Sequence, residues 1–296
     1  MPNEPILDTA ALPEDEVAGS GLPAAASGGL ADGAPQAQPA VSEPTIDPIP
    51  PAASDNGGPP TAEPVRLAGA RQVVKGLSYA VDIVFCIDVT GSMTPILDAV
   101  KANALRFYDD VLANLIDKGK NVDELRVRII AFRDFAADPD SALEESSFFL
   151  LPDERTIFSA FVDSLVPEGG GDAPESGLEA VALAINSPWT SRGDRRRQVI
   201  VVWTDQPAHP LNFAVLPPSL ASSVPTDFSS LTDLWEDPQG PVGASSKRLI
   251  LFAPDGPGWS DISASWENVV HHPSQAGGGL SDVDYGTIID SIGNSV

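Results

Sequence analysis

Asp88, Thr90 and Ser92 place three oxygen-bearing side chains at alternate positions, directly after the apolar run Ile83-Val84-Phe85-Cys86-Ile87. A carboxylate and two hydroxyls, with Gly91 to let the loop turn, suit a small hard cation such as Mg²⁺, which takes oxygen ligands and keeps several waters. The same residues also suit a plainer role, capping the helix that follows. Two further loops carry acidic residues. Asp172 lies in Gly169-Gly170-Gly171-Asp172-Ala173-Pro174-Glu175, and Asp205 follows the apolar run Val199 to Trp203. Loops at the carboxyl ends of strands in an open α/β sheet converge on one edge, where ligands bind. Three oxygen-bearing loops on such an edge favour a metal over a cap.

These loops need strands and helices to hold them. Val81 to Ile87 reads as a strand buried on both faces. From Thr94 to Gly119 the apolar residues Ile96, Leu97, Val100, Leu105, Val111, Leu112 and Leu115 give one helix with a single buried stripe. Strands are expected at Arg126 to Phe132 and Ser147 to Leu151, then a helix from Glu154 to Leu165. A helix over Pro174 to Ile185 would have Pro at its first position. The strand Val199 to Trp203 leads into a Pro- and Ser-rich stretch from Pro210 to Ser246, with a short helix near Leu231 to Trp235. A strand at Arg248 to Phe252, a helix at Ser260 to Glu267, a short strand at Val269-Val270 and a helix from Asp282 to Ile292 complete the chain. Strands alternating with helices predict an α/β fold with a doubly wound, mainly parallel sheet.

The totals exclude several functions. The chain has 296 residues and a formal net charge of -25. Nucleic acid and anionic membranes both need a basic face, so neither is expected as a partner. The basic run Arg192-Gly193-Asp194-Arg195-Arg196-Arg197 reads as a solvated strand entry. The one cysteine, Cys86, falls in the core strand and excludes an intrachain disulfide. The start of the sequence lacks the basic and apolar regions of a signal peptide. No apolar run approaches the ~20 residues of a membrane helix. A soluble, cytoplasmic setting is the expectation. Residues 1–65 are rich in Pro, Ala and Gly, acidic, and free of Lys, Arg, His and aromatic residues up to Pro64. Such a segment cannot bury enough apolar surface to offset its ordering entropy, so it reads as a disordered acidic tail.

Asp88-Val89-Thr90-Gly91-Ser92-Met93 resembles the metal-ion-dependent adhesion site of von Willebrand factor type A (vWA) domains, D-x-S/T-x-S. The resemblance runs from about Leu77 to Ser295. In that family a second loop supplies a Thr, and here Asp172 would replace it. A third loop supplies an Asp, which matches Thr204-Asp205. The pair GGGDAPE and TDQPAH is similar to a bacterial branch of vWA proteins tied to protein kinases and stress-response operons. The resemblance implies a Rossmann-like sheet over residues 66–296, with 210–246 as an insertion. It implies Mg²⁺, or Mn²⁺ or Ca²⁺, held by Asp88, Thr90, Ser92, Asp172 and Asp205. It also implies a non-enzymatic adaptor whose protein partner adds a carboxylate to the metal.

An enzymatic alternative remains at this stage. Asp88-x-Thr90 is one residue away from the D-x-D start of haloacid-dehalogenase-like phosphatases, where the first Asp is the nucleophile. Thr90 stands where the second Asp would move the leaving-group proton, and a hydroxyl cannot do so near neutral pH. No phosphate-binding G-x-x-x-x-G-K-[ST] loop occurs. His209 either lies near the metal or caps its loop. His271-His272 lacks metal-ligand spacing to another His or Cys.

The domain boundary is open to a direct test. Limited proteolysis with a protease that cuts at acidic or small residues should leave a stable fragment beginning between Val65 and Leu77. A tail as resistant as the rest would contradict the boundary.

Overall fold

The run of apolar residues after Ser78 forms the central strand β1, Tyr79–Asp88, buried along its whole length. The computed structural model describes residues 78–171 and 173–296. The expected acidic tail, the start of the domain and Asp172 therefore lie outside the described residues. After β1 come a single 3-10 turn at Gly91–Met93, α1 (Thr94–Asn103), α2 (Phe107–Asp117), β2 (Glu124–Phe132), β3 (Leu143–Glu145) and β4 (Phe149–Leu151). The chain continues through α3 (Arg155–Ser164), α4 (Gly177–Ile185), β5 (Arg195–Trp203), α5 (Pro218–Ala221) and α6 (Phe228–Glu236). It ends with β6 (Lys247–Pro254), α7 (Trp259–Ser265), β7 (Val269–Ser274) and α8 (Tyr285–Ser295).

The sheet order is β3-β2-β1-β5-β6-β7, with β4 also paired to β2. β1 pairs in parallel with β2 and β5, and β5-β6 and β6-β7 are parallel too. Among the described residues only β3 and β4 run antiparallel, both against β2. The mainly parallel sheet is as the sequence predicts. Alternation along the strands feeds two layers. Ile83, Phe85, Ile87, Val199, Val201 and Trp203 face α1, α2, α3 and α8. Val84, Cys86, Ile200 and Val202 face α4, α6 and α7. Burial pushes the Cys86 thiol far above its ordinary range, so it is a small core hydrophobe.

Two elements depart from expectation for local reasons. The single helix expected from Thr94 breaks at Ala104-Leu105-Arg106. There the backbone bonds tighten to three-residue spacing, as in Arg106 N–H to Asn103 O at 2.9 Å, and the Asn103 amide donates to Ala99 O at 2.7 Å. The break turns Leu105 outward, 54% exposed, and Phe107 inward. α4 starts at Gly177 rather than Pro174, because the backbone of Glu175 is committed elsewhere. Its N–H donates to Pro207 O and its carbonyl accepts from His209 N–H, a bridge to the loop after β5. The short helix expected near Leu231 to Trp235 in the Pro- and Ser-rich stretch forms as α6. α6 is capped by Asp227, whose carboxylate accepts from Ser230 N–H at 2.8 Å, and it drives Leu231 and Trp235 into the second layer. The basic run opens β5 at its exposed end, as expected of a strand entry.

Gly177 fixes how the loop before α4 sits on the loop after β5. A Cβ there would lie 2.5 Å from Trp259 Cζ2. The Trp259 ring is buried and its Nε1 donates to Gln206 O at 2.9 Å. Gly177→Ala should therefore overpack this contact and cost about 1–3 kcal/mol. Thermal melting checks it, and a curve that overlays the wild type would contradict this packing.

Candidate functional site

Asp88 ends β1 and has no exposed surface. In the parallel register Ile87 pairs with Trp203, so the next residues, Asp88 and Thr204, stand level at the carboxyl edge. Thr204 Oγ1 donates to Asp88 Oδ2 at 2.7 Å. Thr90 donates twice to Asp88 Oδ1, from its N–H at 2.9 Å and its hydroxyl at 2.6 Å. The loop after β1 thus folds back on its own carboxylate. Ser92, exposed one turn on, donates from Oγ to Asp205 Oδ1 at 2.9 Å. The other oxygen of Asp205 accepts from Gly279 N–H at 2.7 Å. The first and third predicted loops therefore meet, and Asp88, Thr90, Ser92 and Asp205 form one oxygen cluster.

The second loop closes on the same cluster. Gly170, at φ +82°, packs so tightly that a Cβ would lie 3.0 Å from Thr90 Cγ2 and 3.1 Å from Glu175 Oε1. Its N–H donates to Asp138 Oδ2 at 2.8 Å. Arg133, buried beneath, anchors this region by donating to the carbonyls of Glu168, Ser141 and Val166. Its charge is spent on carbonyls rather than on the carboxylates of the site.

Glu175 is the site residue that the sequence reading missed. It is buried, and its Oε2 has no hydrogen-bond partner among the described residues. Burial, reinforced by Asp88, Asp134, Asp138 and Asp205, pushes its carboxyl up to about 9. Its signal was an acidic residue beside Gly and Pro at the mouth of an almost wholly apolar helix. Thr204 was quoted only as a neighbour of Asp205, yet it supplies one of the three donors to Asp88. His209 joins neither Asp88 nor Asp205. Its Nε2 lies 3.5 Å from Asp134 Oδ2 and its ring stacks on Phe213 at 3.8 Å.

The donor set fits a hard divalent cation. Asp88, Thr90, Ser92, Asp205 and Glu175 present oxygen alone, and each hydroxyl that donates to a carboxylate keeps lone pairs for a cation. Among the described residues no three His, Cys, Asp or Glu side chains gather as a metal site by themselves. Hydroxyls and water would have to complete the shell, as Mg²⁺ prefers. Glu175 Oε2, buried and unpartnered, is the kind of atom a cation or its water satisfies.

A family model and several known proteins are similar to this chain. Residues 82–212 match the family model of the von Willebrand factor A domain, and the fold is vWA-like. A curated relative, the alpha-protein kinase vwkA of Dictyostelium discoideum, is 25% identical over 160 residues, 54% of this chain and 24% of the kinase. The chain thus matches only about a quarter of that relative's length. The vWF domain of the type V pili tip protein Mfa5 from Porphyromonas gingivalis is 21% identical, with 47% of this chain and 43% of that one covered and a TM-score of 0.30. The PilB minor pilin from Streptococcus sanguinis is 13% identical, with 75% and 62% covered and a TM-score of 0.43. No helix among the described residues is long and apolar enough to cross a membrane.

The electrostatics give a pH prediction for the metal-free protein. Burial raises the Asp88 carboxyl from 3.8 to about 6, against the hydrogen bonds from Thr90 and Thr204. A folded value above the unfolded one means stability that is full below pH 4 and lost as pH rises through about 6, roughly 3 kcal/mol for this group. Glu175 acts in the same direction up to about 9. Asp88→Asn should remove the part of the loss between pH 4 and 7 that belongs to Asp88. Denaturant unfolding of both proteins without metal measures the difference. An unchanged pH dependence in Asp88→Asn would contradict it.

Proposed function

From a von Willebrand factor A domain as premise, we propose that the protein is a docking module that binds a protein partner through a divalent cation, Mg²⁺ by preference, at its sheet edge. The observation that carries this reading is the Ser92–Asp205 hydrogen bond, which joins two loops from neighbouring strands beside the buried Asp88. Asp88, Ser92 and Asp205 would hold the ion, with Thr90 and Glu175 close by and Asp172 as the sixth candidate. When bound, the ion supplies positive charge and a coordination position open to an acidic side chain of the partner. The chain's own residues do the rest. Thr90 and Thr204 hold Asp88 in place, Gly170 lets the second loop approach, and Ser92 remains exposed where a partner can reach it. The kinase name of the Dictyostelium relative supports a setting linked to protein kinases.

An ion that binds only the folded state stabilises it by RT ln(1 + [L]/Kd), about 2.7 kcal/mol at a hundredfold excess over Kd. Millimolar Mg²⁺ should therefore raise the melting temperature of the wild type and leave Asp205→Ala unchanged. Capture of a partner from the native host should need Mg²⁺ and fail with Asp205→Ala. Equal melting with and without Mg²⁺ in the wild type would refute the metal, and capture that persists without Mg²⁺ would refute the docking mode.

A further inference from the structure

A cavity of about 320 Å³ lies beside the loop that follows β5. Much of its wall is apolar: Leu178 comes from α4, Leu211 from the loop and Phe228 from α6. Leu178 and Leu211 are buried, and Phe228 is half-buried. Two exposed carboxylates line it as well, Asp227 just before α6 and Asp261 on α7. The volume stands at the lower end of cavities that hold ligands. Among the described residues no Lys or Arg lines it, and neither Asp227 nor Asp261 has an ion pair.

Both carboxylates also cap helices. Asp227 accepts from Ser230 N–H at 2.8 Å and from the Ser230 hydroxyl at 3.1 Å, and these bonds hold its carboxyl below the ordinary range, so it is ionised. Asp261 accepts from Gly258 N–H at 3.0 Å. A carboxylate has about four acceptor positions, so each keeps room for a further donor. Capping accounts for the two Asp residues but not for the cavity they share. His209 lines the same cavity, is 5% exposed, and its Nε2 has no hydrogen-bond partner among the described residues. Its ring stacks on Phe213 at 3.8 Å, which holds the Phe213 ring at the surface, 55% exposed. Val215, two residues on, is 93% exposed. Exposed apolar side chains grouped in this way mark contact with another macromolecule rather than with a small solute.

We propose that this cavity seats an arginine side chain of a partner protein, its stem against Leu178, Leu211 and Phe228 and its guanidinium on Asp227 and Asp261. Arginine buries an apolar stem and keeps its head among polar groups. Its planar fork of five donors serves two carboxylates at once and lies flat on a ring such as Phe228, which a lysine ammonium does less well. A chain of net charge -25 attracts a basic segment from a distance, so charge complementarity favours this occupant. Phe213 covers the residues that flank the arginine. The site shares the loop after β5 with Asp205 but uses none of the residues proposed to hold the cation, and it does not rest on that reading.

The test uses the full chain and two fluorescent peptides, Gly-Ser-Leu-Arg-Leu-Ser-Gly and the same sequence with Gln in place of Arg. The arginine peptide should bind alike in Mg²⁺ and in excess chelator. The glutamine peptide should bind at least about tenfold more weakly, through loss of charge-assisted hydrogen bonds. An Asn oxygen can accept the same backbone bonds as Asp, so D227N/D261N removes the charge and retains both caps. That variant should lose about tenfold in affinity for the arginine peptide, and F213S should bind it more weakly than the wild type. Absence of binding, equal binding of the two peptides, or undiminished binding by either variant would overturn the proposal. So would binding that needs Mg²⁺, or displacement of the peptide by an equal concentration of free arginine, which would assign the cavity to a small molecule.

Discussion

The structure depends on how it tolerates a carboxylate at the end of a strand buried on both faces. Asp88 has no exposed surface, and no Lys or Arg among the described residues pairs with it. Leaving an ionised carboxylate without partners in such a place costs several kcal/mol. Two threonines supply three hydrogen bonds, yet burial still holds the carboxyl near 6. Arg133, the buried cation close at hand, is turned toward backbone carbonyls. With Asp205 and Glu175 beside it, three carboxyls crowd this edge, and Glu175 avoids the repulsion by holding its proton up to about 9. A divalent cation is the ligand we propose for that edge.

Much of the remaining fold serves that edge. Parallel pairing brings the ends of β1 and β5 level, so Thr204 can reach Asp88. The close packing of Gly170 on Thr90, and of Gly177 on Trp259, sets the second loop against the first and third. The cations meanwhile gather at the amino edge, around the end of α8. Acidic residues lie among them, since Asp123, Glu124 and Asp194 stand at the same strand starts.

The central strand and its polar stop were legible because a two-sided apolar run ending at Asp-x-Thr-x-Ser has few other readings. Asp205 was legible for the same reason, after Val199 to Trp203. Glu175 was not, because its place depends on a bridge to Ala208, far along the chain, rather than on local pattern. The break between α1 and α2 was hidden because Leu105 fits the apolar stripe by type and only the Asn103 side chain interrupts it. The short helix within the insertion was legible around Leu231 to Trp235, whereas the burial of Val224 and Val242 was not, because they are scattered among Pro and Ser. His209 was read as a neighbour of the metal or a cap, whereas its partners are Asp134 and Phe213, neither adjacent in sequence.

The central claim is that Asp88, Ser92 and Asp205 form one cation site. Mn²⁺ is paramagnetic and suits the same oxygen ligands. Titrated into the full chain, it should lose its free-ion electron paramagnetic resonance signal until one ion is bound per chain, and Mg²⁺ should displace it. Asp88→Asn and Ser92→Ala should each weaken that binding at least about tenfold, in line with loss of a metal-shell contact. A free-ion signal that persists at all ratios, or binding that both variants leave intact, would contradict the claim.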